Sequence, residues 1–130
     1  MARARIAIAL MVLAGLAGCA DQADNQLLLN ANRNHIATEV VVSGSVTALL
    51  ADNSGPDGNH QRFMFQVDGL TLEVDHNIGL AQRVPLTVGE RLLIKGQYEP
   101  DPGHPVIHYT HHATDRHQGG YIQAGDTTFQ

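Results

Sequence analysis

Residues 60–76 read HQRFMFQVDGLTLEVDH. Apolar residues alternate with polar ones at period two, which is the mark of a half-buried strand. Phe63, Phe65 and Val67 fall on one side, and His60, Arg62, Met64 and Gln66 on the other. Leu70, Leu72, Val74 and His76 then share one side of a second run. Asp68-Gly69 between the runs suits a two-residue hairpin turn, whose backbone needs positive φ. The stretch is therefore a β-hairpin with one apolar face.

The same alternation extends outward from this hairpin. Upstream, Thr38 to Leu50 places Val40, Val42, Val46, Ala48 and Leu50 on one face, with Gly44 at a bend or bulge. Residues 51–59, ADNSGPDGN, are dense in turn formers and read as an exposed loop. Downstream, residues 77–89 lack a clean period around Pro85 and read as an irregular connection or single helical turn. Glu90 to Glu99 is a fourth strand, the proline-rich 100–105 a turn, and Val106 to His111 a fifth strand. Tyr121 to Gln123 and Thr127 to Phe129 form a closing hairpin, and Asn25 to Arg33 a short helix laying leucines on the domain. The expected fold is mainly β: a small five-stranded OB-like barrel with a short N-terminal helix and a C-terminal hairpin, a sandwich being the alternative.

The N-terminus carries Arg3 and Arg5, an apolar stretch from Ile6 to Leu16, and Leu16-Ala17-Gly18-Cys19. That stretch is shorter than the roughly 20 residues a spanning helix needs, so it reads as a signal peptide. Small residues before a cysteine resemble the lipobox of bacterial lipoproteins. The resemblance implies a lipid on Cys19, cleavage before it, and, with Ala20 following, an outer-membrane anchor with the domain facing the periplasm. The expected organisation is a lipoprotein signal peptide at 1–18, a lipidated tether and helix at 19–36, and one domain at 37–130.

Cleavage removes two of the eight Lys and Arg and none of the thirteen Asp and Glu, leaving six against thirteen. Such a chain is a poor match for nucleic-acid phosphates in bulk. With the single cysteine committed to lipid, neither a disulfide nor a thiolate ligand is available.

Four of the eight histidines fall within VIHYTHHATDRH, residues 106–117, and His60 and His76 sit near strand ends. Imidazole ligates transition metals and changes charge near neutral pH. His76, His108, His111, His112 and His117 are the candidate ligands for a divalent transition metal, zinc first among them. An unbroken strand cannot bring them together, because His108 and His112 would lie roughly 13 Å apart and His108 and His111 would face opposite ways. Either the chain turns after Thr110, or His108 meets His60 or His76 from neighbouring strands. His60, Arg62, His76 and His108 are the candidate catalytic set, in which a guanidinium could fork onto a small anionic ligand. The blander reading pairs Arg62 with Glu73 and makes the histidines wall residues. No phosphate-cradling GxxxxGK[ST], dinucleotide GxGxxG or nucleophile-elbow GxSxG is present.

The fragments GSVTALLADNSG (44–55), HQRFMFQV (60–67), DHNIGLAQRVPLTVGERL (75–92) and VIHYTHHATDRHQGGYI (106–122) resemble the small bacterial envelope family catalogued as domain of unknown function 3465. The HQRF, HNI and HxTHH pieces carry the likeness, and this chain departs from the family pattern at Tyr109 and Tyr121, where that pattern has tryptophans. The resemblance implies an envelope location, a single domain and no assigned activity. Three functions are expected from the residues: an outer-membrane lipoprotein with a metal-binding histidine site, a metal-dependent hydrolase of phosphodiesters or similar anions, or a non-catalytic module responsive to pH.

Overall fold

A computed structural model describes residues 21–130. The expected signal peptide and Cys19 lie outside those residues. Helix α1 (Asn25–Asn34) starts where Asp24 Oδ1 accepts the Leu27 N–H at 3.0 Å. It ends at His35, whose left-handed φ of 53° turns its N–H back onto the last carbonyls. Leu28 and Ala31 are its buried residues, and both join the core of the β domain.

Seven strands follow: β1 (Thr38–Gly55), β2 (Gly58–Val67), β3 (Leu70–Asn77), β4 (Arg91–Glu99), β5 (Val106–His108), β6 (Tyr121–Ala124) and β7 (Thr127–Phe129). The first five pair in the order β1-β2-β3-β5-β4, and β4 pairs back onto β1, so they form a ring of the OB-like kind rather than a sandwich. Only β3–β5 is parallel among the pairs. The inward positions match the period-two reading. Val40, Val42, Val46, Phe63, Phe65, Leu72 and Val74 are buried together with Ile94, Tyr98 and Ile107. Phe63 and Phe65 meet edge to face at 6.2 Å.

Two expectations are corrected. Residues 51–59 are a protruding ladder rather than a loop, with Asn53↔His60, Ser54↔Asn59 and Gly55↔Gly58 in register and the turn at Pro56-Asp57. Polar side chains hid it because main-chain pairing continues past the last apolar residue. The expected short helix is present, and the residues just before it are fastened to the domain from Asp21 onward. Asp21 accepts from Tyr121 Oη at 2.9 Å, and the Asp24 N–H donates to Val41 O at 2.8 Å. The fifth strand stops at His108 instead of His111, because Tyr109 adopts φ 58° and breaks the run.

That break positions the site. Strand β4 shares one edge between two partners: Gln97–Glu99 pair with β5, and Leu92–Lys95 with β6. Residues 109–120 are extruded between them as an excursion closed by Gly120 N–H to His111 O at 2.7 Å. A Cβ on Gly96 would strike the His108 carbonyl, and one on Gly120 would strike the carbonyls of Tyr109 and Lys95. Glycine at both positions is what lets the backbone leave and rejoin the β4 edge. Among the described residues no helix is long and apolar enough to cross a membrane.

Candidate functional site

A cleft of about 590 Å³ opens where the β1–β2 tip, the ends of β3, β4 and β5, and the excursion meet. Pro56 and Asp57 come from the tip, His60 from β2, Asp75 and Asn77 from β3, Glu99 from β4 and His108 from β5. Asp101 lies on the β4–β5 turn. Tyr109, His111, Thr114, Asp115 and Arg116 come from the excursion.

The histidines divide into two groups. His76 is fully buried and faces the interior, with Nδ1 2.7 Å from Thr110 Oγ1 and Nε2 2.9 Å from Gln82 O. The carbonyl can only accept, so Nε2 carries the proton and the threonine hydroxyl donates to Nδ1. Burial holds its pKa below the ordinary imidazole value. His117 Nδ1 lies 2.7 Å from Gln118 O and Nε2 2.6 Å from Gln97 Oε1, and its ring stacks on Tyr109 at 4.0 Å. His112 is exposed and outside the cleft lining.

His60, His108 and His111 share the cleft. His111 is 4% exposed, and its Nδ1 lies 2.8 Å from the His112 carbonyl, which fixes the proton there and leaves a lone pair on Nε2. His108 stands with Nδ1 3.9 Å from Asp75 Oδ2, and burial depresses its pKa against the opposing pull of Glu99. The structure thus brings together three of the six singled-out histidines and sets His76, His112 and His117 apart. Among the described residues no set of three or more His, Cys, Asp or Glu side chains is arranged to hold a metal ion as placed.

Arg62 takes the blander of its two sequence readings. Its Nε donates to Glu73 Oε1 at 2.5 Å, and Asp75 Oδ1 is 3.8 Å away. His104 Nε2 lies 2.6 Å from the other Glu73 oxygen without hydrogen-bonding geometry, so this carboxylate, 2% exposed, is bonded by Arg62 on one side and has a histidine against it on the other. Burial is the largest single influence and works against the Glu73 charge, but the hydrogen bonds from Arg62 and Asp75 and the nearby charges of Arg62 and His104 together outweigh it and hold the group below the usual carboxylate range. Asp75, on the same face two residues along, goes the other way. Burial first, then the proximity of Glu73, pushes its pKa up to about 7. Two neighbouring carboxyls thus hold a proton differently, which singles them out as functional candidates on physical grounds.

The short sequence pieces that carry the family likeness converge here. HQRF supplies His60 to the cleft and Gln61 to the interior, where its amide accepts from Val84 N–H at 2.9 Å and donates to Val84 O at 2.7 Å. HNI supplies His76, bonded to Thr110 of HxTHH, and Asn77, which donates to Asp57 O at 2.8 Å and accepts from Gly79 N–H at 2.9 Å. A family model described as "Protein of unknown function (DUF3465)" matches residues 8–130. The chain belongs to that family. No curated protein and no solved structure matches it.

In this DUF3465 chain, sequence reasoning passed over Asp57, Glu99, Asp101 and Arg116. Each sits at a strand end or in a turn, where a polar residue is the expected occupant and carries no signal of its own. Asn77 had one available signal, its place directly after His76 at the end of a strand.

Proposed function

We propose that the chain is a non-catalytic binding module of the cell envelope that takes a cationic ligand in the cleft. A lipid on Cys19 holds it at the outer membrane, with the domain on the periplasmic side. OB-like folds bind on the face of strands two and three and on the adjoining loops, and the cleft lies at the end of those strands between the β1–β2 tip and the β4–β5 turn.

One observation carries the choice of ligand charge. Asp57, Glu99, Asp101 and Asp115, joined by Asp75 once it loses its proton, line the cleft against a single guanidinium, Arg116. A cleft with that balance concentrates cations and repels phosphates. The anionic ligand and the phosphodiester hydrolysis weighed from the sequence find less support, because Arg62 is committed to Glu73.

The test is a pair of titrations followed by amide resonances of the isotopically labelled mature chain at neutral pH and low salt. Spermidine should shift Asn77, Asp101, His111 and Asp115, while inorganic phosphate leaves them in place. Phosphate shifting these residues while spermidine does not would overturn the reading. For the anchor, Cys19→Ser should release the protein from the membrane fraction. A variant that still sediments with membranes would remove the lipid from the account.

A further inference from the structure

We infer that the cleft holds a divalent transition metal ion, zinc foremost, through His60, His108 and His111, with Asp75 beside them. The inference rests on the reading of the cleft as a cation site and names the cation.

The argument begins with which imidazole nitrogens are already used. His76 and His117 have both ring nitrogens in hydrogen bonds, and His104 is turned onto Glu73. His35 caps α1 and His112 stands in solvent. The remaining three line one cleft. Neither His60 nor His108 makes a side-chain hydrogen bond among the described residues, and His111 makes one, through Nδ1 to the His112 carbonyl.

His111 has the arrangement that metal-ligating histidines need. A carbonyl takes the Nδ1 proton, fixes the tautomer and orients the ring, and the Nε2 lone pair is left for an ion. The ring is nine-tenths buried, so little solvent competes for that lone pair. His108 and His111 stand on either side of the chain break at Tyr109, with ring centroids 6.1 and 6.2 Å from the tyrosine ring. The break that ends β5 therefore places both histidines on one cleft, which a continuous strand would forbid. His60 enters from β2, opposite Asn77 of β3. Asp75 sets Oδ2 3.9 Å from His108 Nδ1, and its other oxygen, Oδ1, is buried without a hydrogen-bond partner 3.8 Å from Arg62 Nε; on losing its proton to an arriving ion the carboxylate supplies the negative charge that a divalent ion needs nearby.

Imidazoles with one carboxylate select zinc, copper or nickel over magnesium or calcium, which prefer all-oxygen shells. Three imidazoles leave a fourth tetrahedral position for Asp75 or water. The three rings do not stand at coordinating geometry in the ligand-free arrangement. Binding therefore requires rotation of His60 and His108 toward the fixed His111, and no side-chain hydrogen bond opposes it.

The experiment uses the mature chain without a histidine tag, stripped with chelator, and zinc chloride as the only added ligand. Equilibrium dialysis should give about one zinc per chain. His60→Asn, His108→Asn and His111→Asn should each weaken binding about tenfold or more, and His112→Asn should not. Circular dichroism checks that each variant folds. Long-range nitrogen–proton correlation spectra of the unmutated chain give a readout that needs no variant: zinc should shift the ring nitrogens of His60, His108 and His111 and spare those of His76. Equal zinc binding in all variants, or shifts at His112 or His35 instead, would overturn the site. No zinc uptake while spermidine still shifts the cleft resonances would overturn the metal and leave the cation cleft. Silence with both would overturn the two readings together.

Discussion

His76 and Thr110 are joined side chain to side chain by a 2.7 Å hydrogen bond in the barrel interior, across 34 residues of chain. The bond ties the end of β3 to the first turn of the excursion, and both partners are fully buried. With the Gln82 carbonyl taking the Nε2 proton, the hydroxyl is the donor that satisfies Nδ1. Thr110→Val keeps the shape and removes that donor. A buried acceptor left without a partner costs about 1–3 kcal/mol, so Thr110→Val should lower the urea midpoint accordingly, while Thr110→Ser stays nearer the parent. Equal midpoints for the two variants would show that the hydrogen bond contributes nothing.

Gln61 clamps Val84 through both main-chain groups, accepting from its N–H and donating to its carbonyl. This contact fixes residues 78–90, which have no regular structure of their own. Gln61→Met fills a similar volume but strands two buried backbone groups. The expected loss is about 2–4 kcal/mol, with hydrogen exchange rising first at Val84. An unchanged exchange pattern there would mean that the Gln61 clamp does not hold the connection.

The ring of strands was legible because each of its inward faces repeats at two residues: Phe63, Phe65 and Val67, then Leu72 and Val74. The hairpin between them follows from Asp68-Gly69, where Asp68 takes φ 44° and Gly69 φ 87°. The protruding tip at 51–59 was hidden because both of its faces are solvated and no apolar pattern marks it. At the site, histidine density marked the stretch 106–117 but not which of its rings would share a cleft with His60. That division depends on Tyr109 adopting a left-handed φ, and nothing in a tyrosine forecasts that conformation. His76 illustrates the difficulty further. Its place in the period-two series with Leu70, Leu72 and Val74 was visible, and that same series sends it into the core and away from the cleft.

Gly120 marks the point where the excursion rejoins the sheet. A Cβ there meets two carbonyl oxygens of the backbone, which cannot swing aside as a flexible side chain would. Gly120→Ala should therefore force β6 away from β4, destabilising the fold by about 1–3 kcal/mol and broadening the resonances of 109–117. Gly55→Ala, at a glycine with open space around it, is the control. If the two variants melt together, the close approach at residue 120 is not a constraint.

Asp75 gives the stability of this chain an unusual pH dependence. Its carboxyl titrates at about 7 in the fold, against 3.8 for an unperturbed aspartate, with burial as the main cause and Glu73 as the second. Between those values the folded chain holds a proton that the unfolded chain has released. Stability from this group therefore grows as pH falls from about 7 toward 4, the reverse of a salt-bridged aspartate. His76 and His108, both held below the ordinary imidazole value, act in the opposite sense and cost stability as pH falls below about 6.5. Asp75→Asn removes the first contribution while its amide still offers Glu73 a donor. In the presence of chelator the variant should be more stable than the parent at pH 8, where the parent must keep a buried charge. The difference should shrink toward pH 4.5, where the parent carboxyl is protonated and the histidine penalty is common to both. Urea midpoints at the two pH values measure it, and a difference that holds constant between them would remove Asp75 as the titrating group.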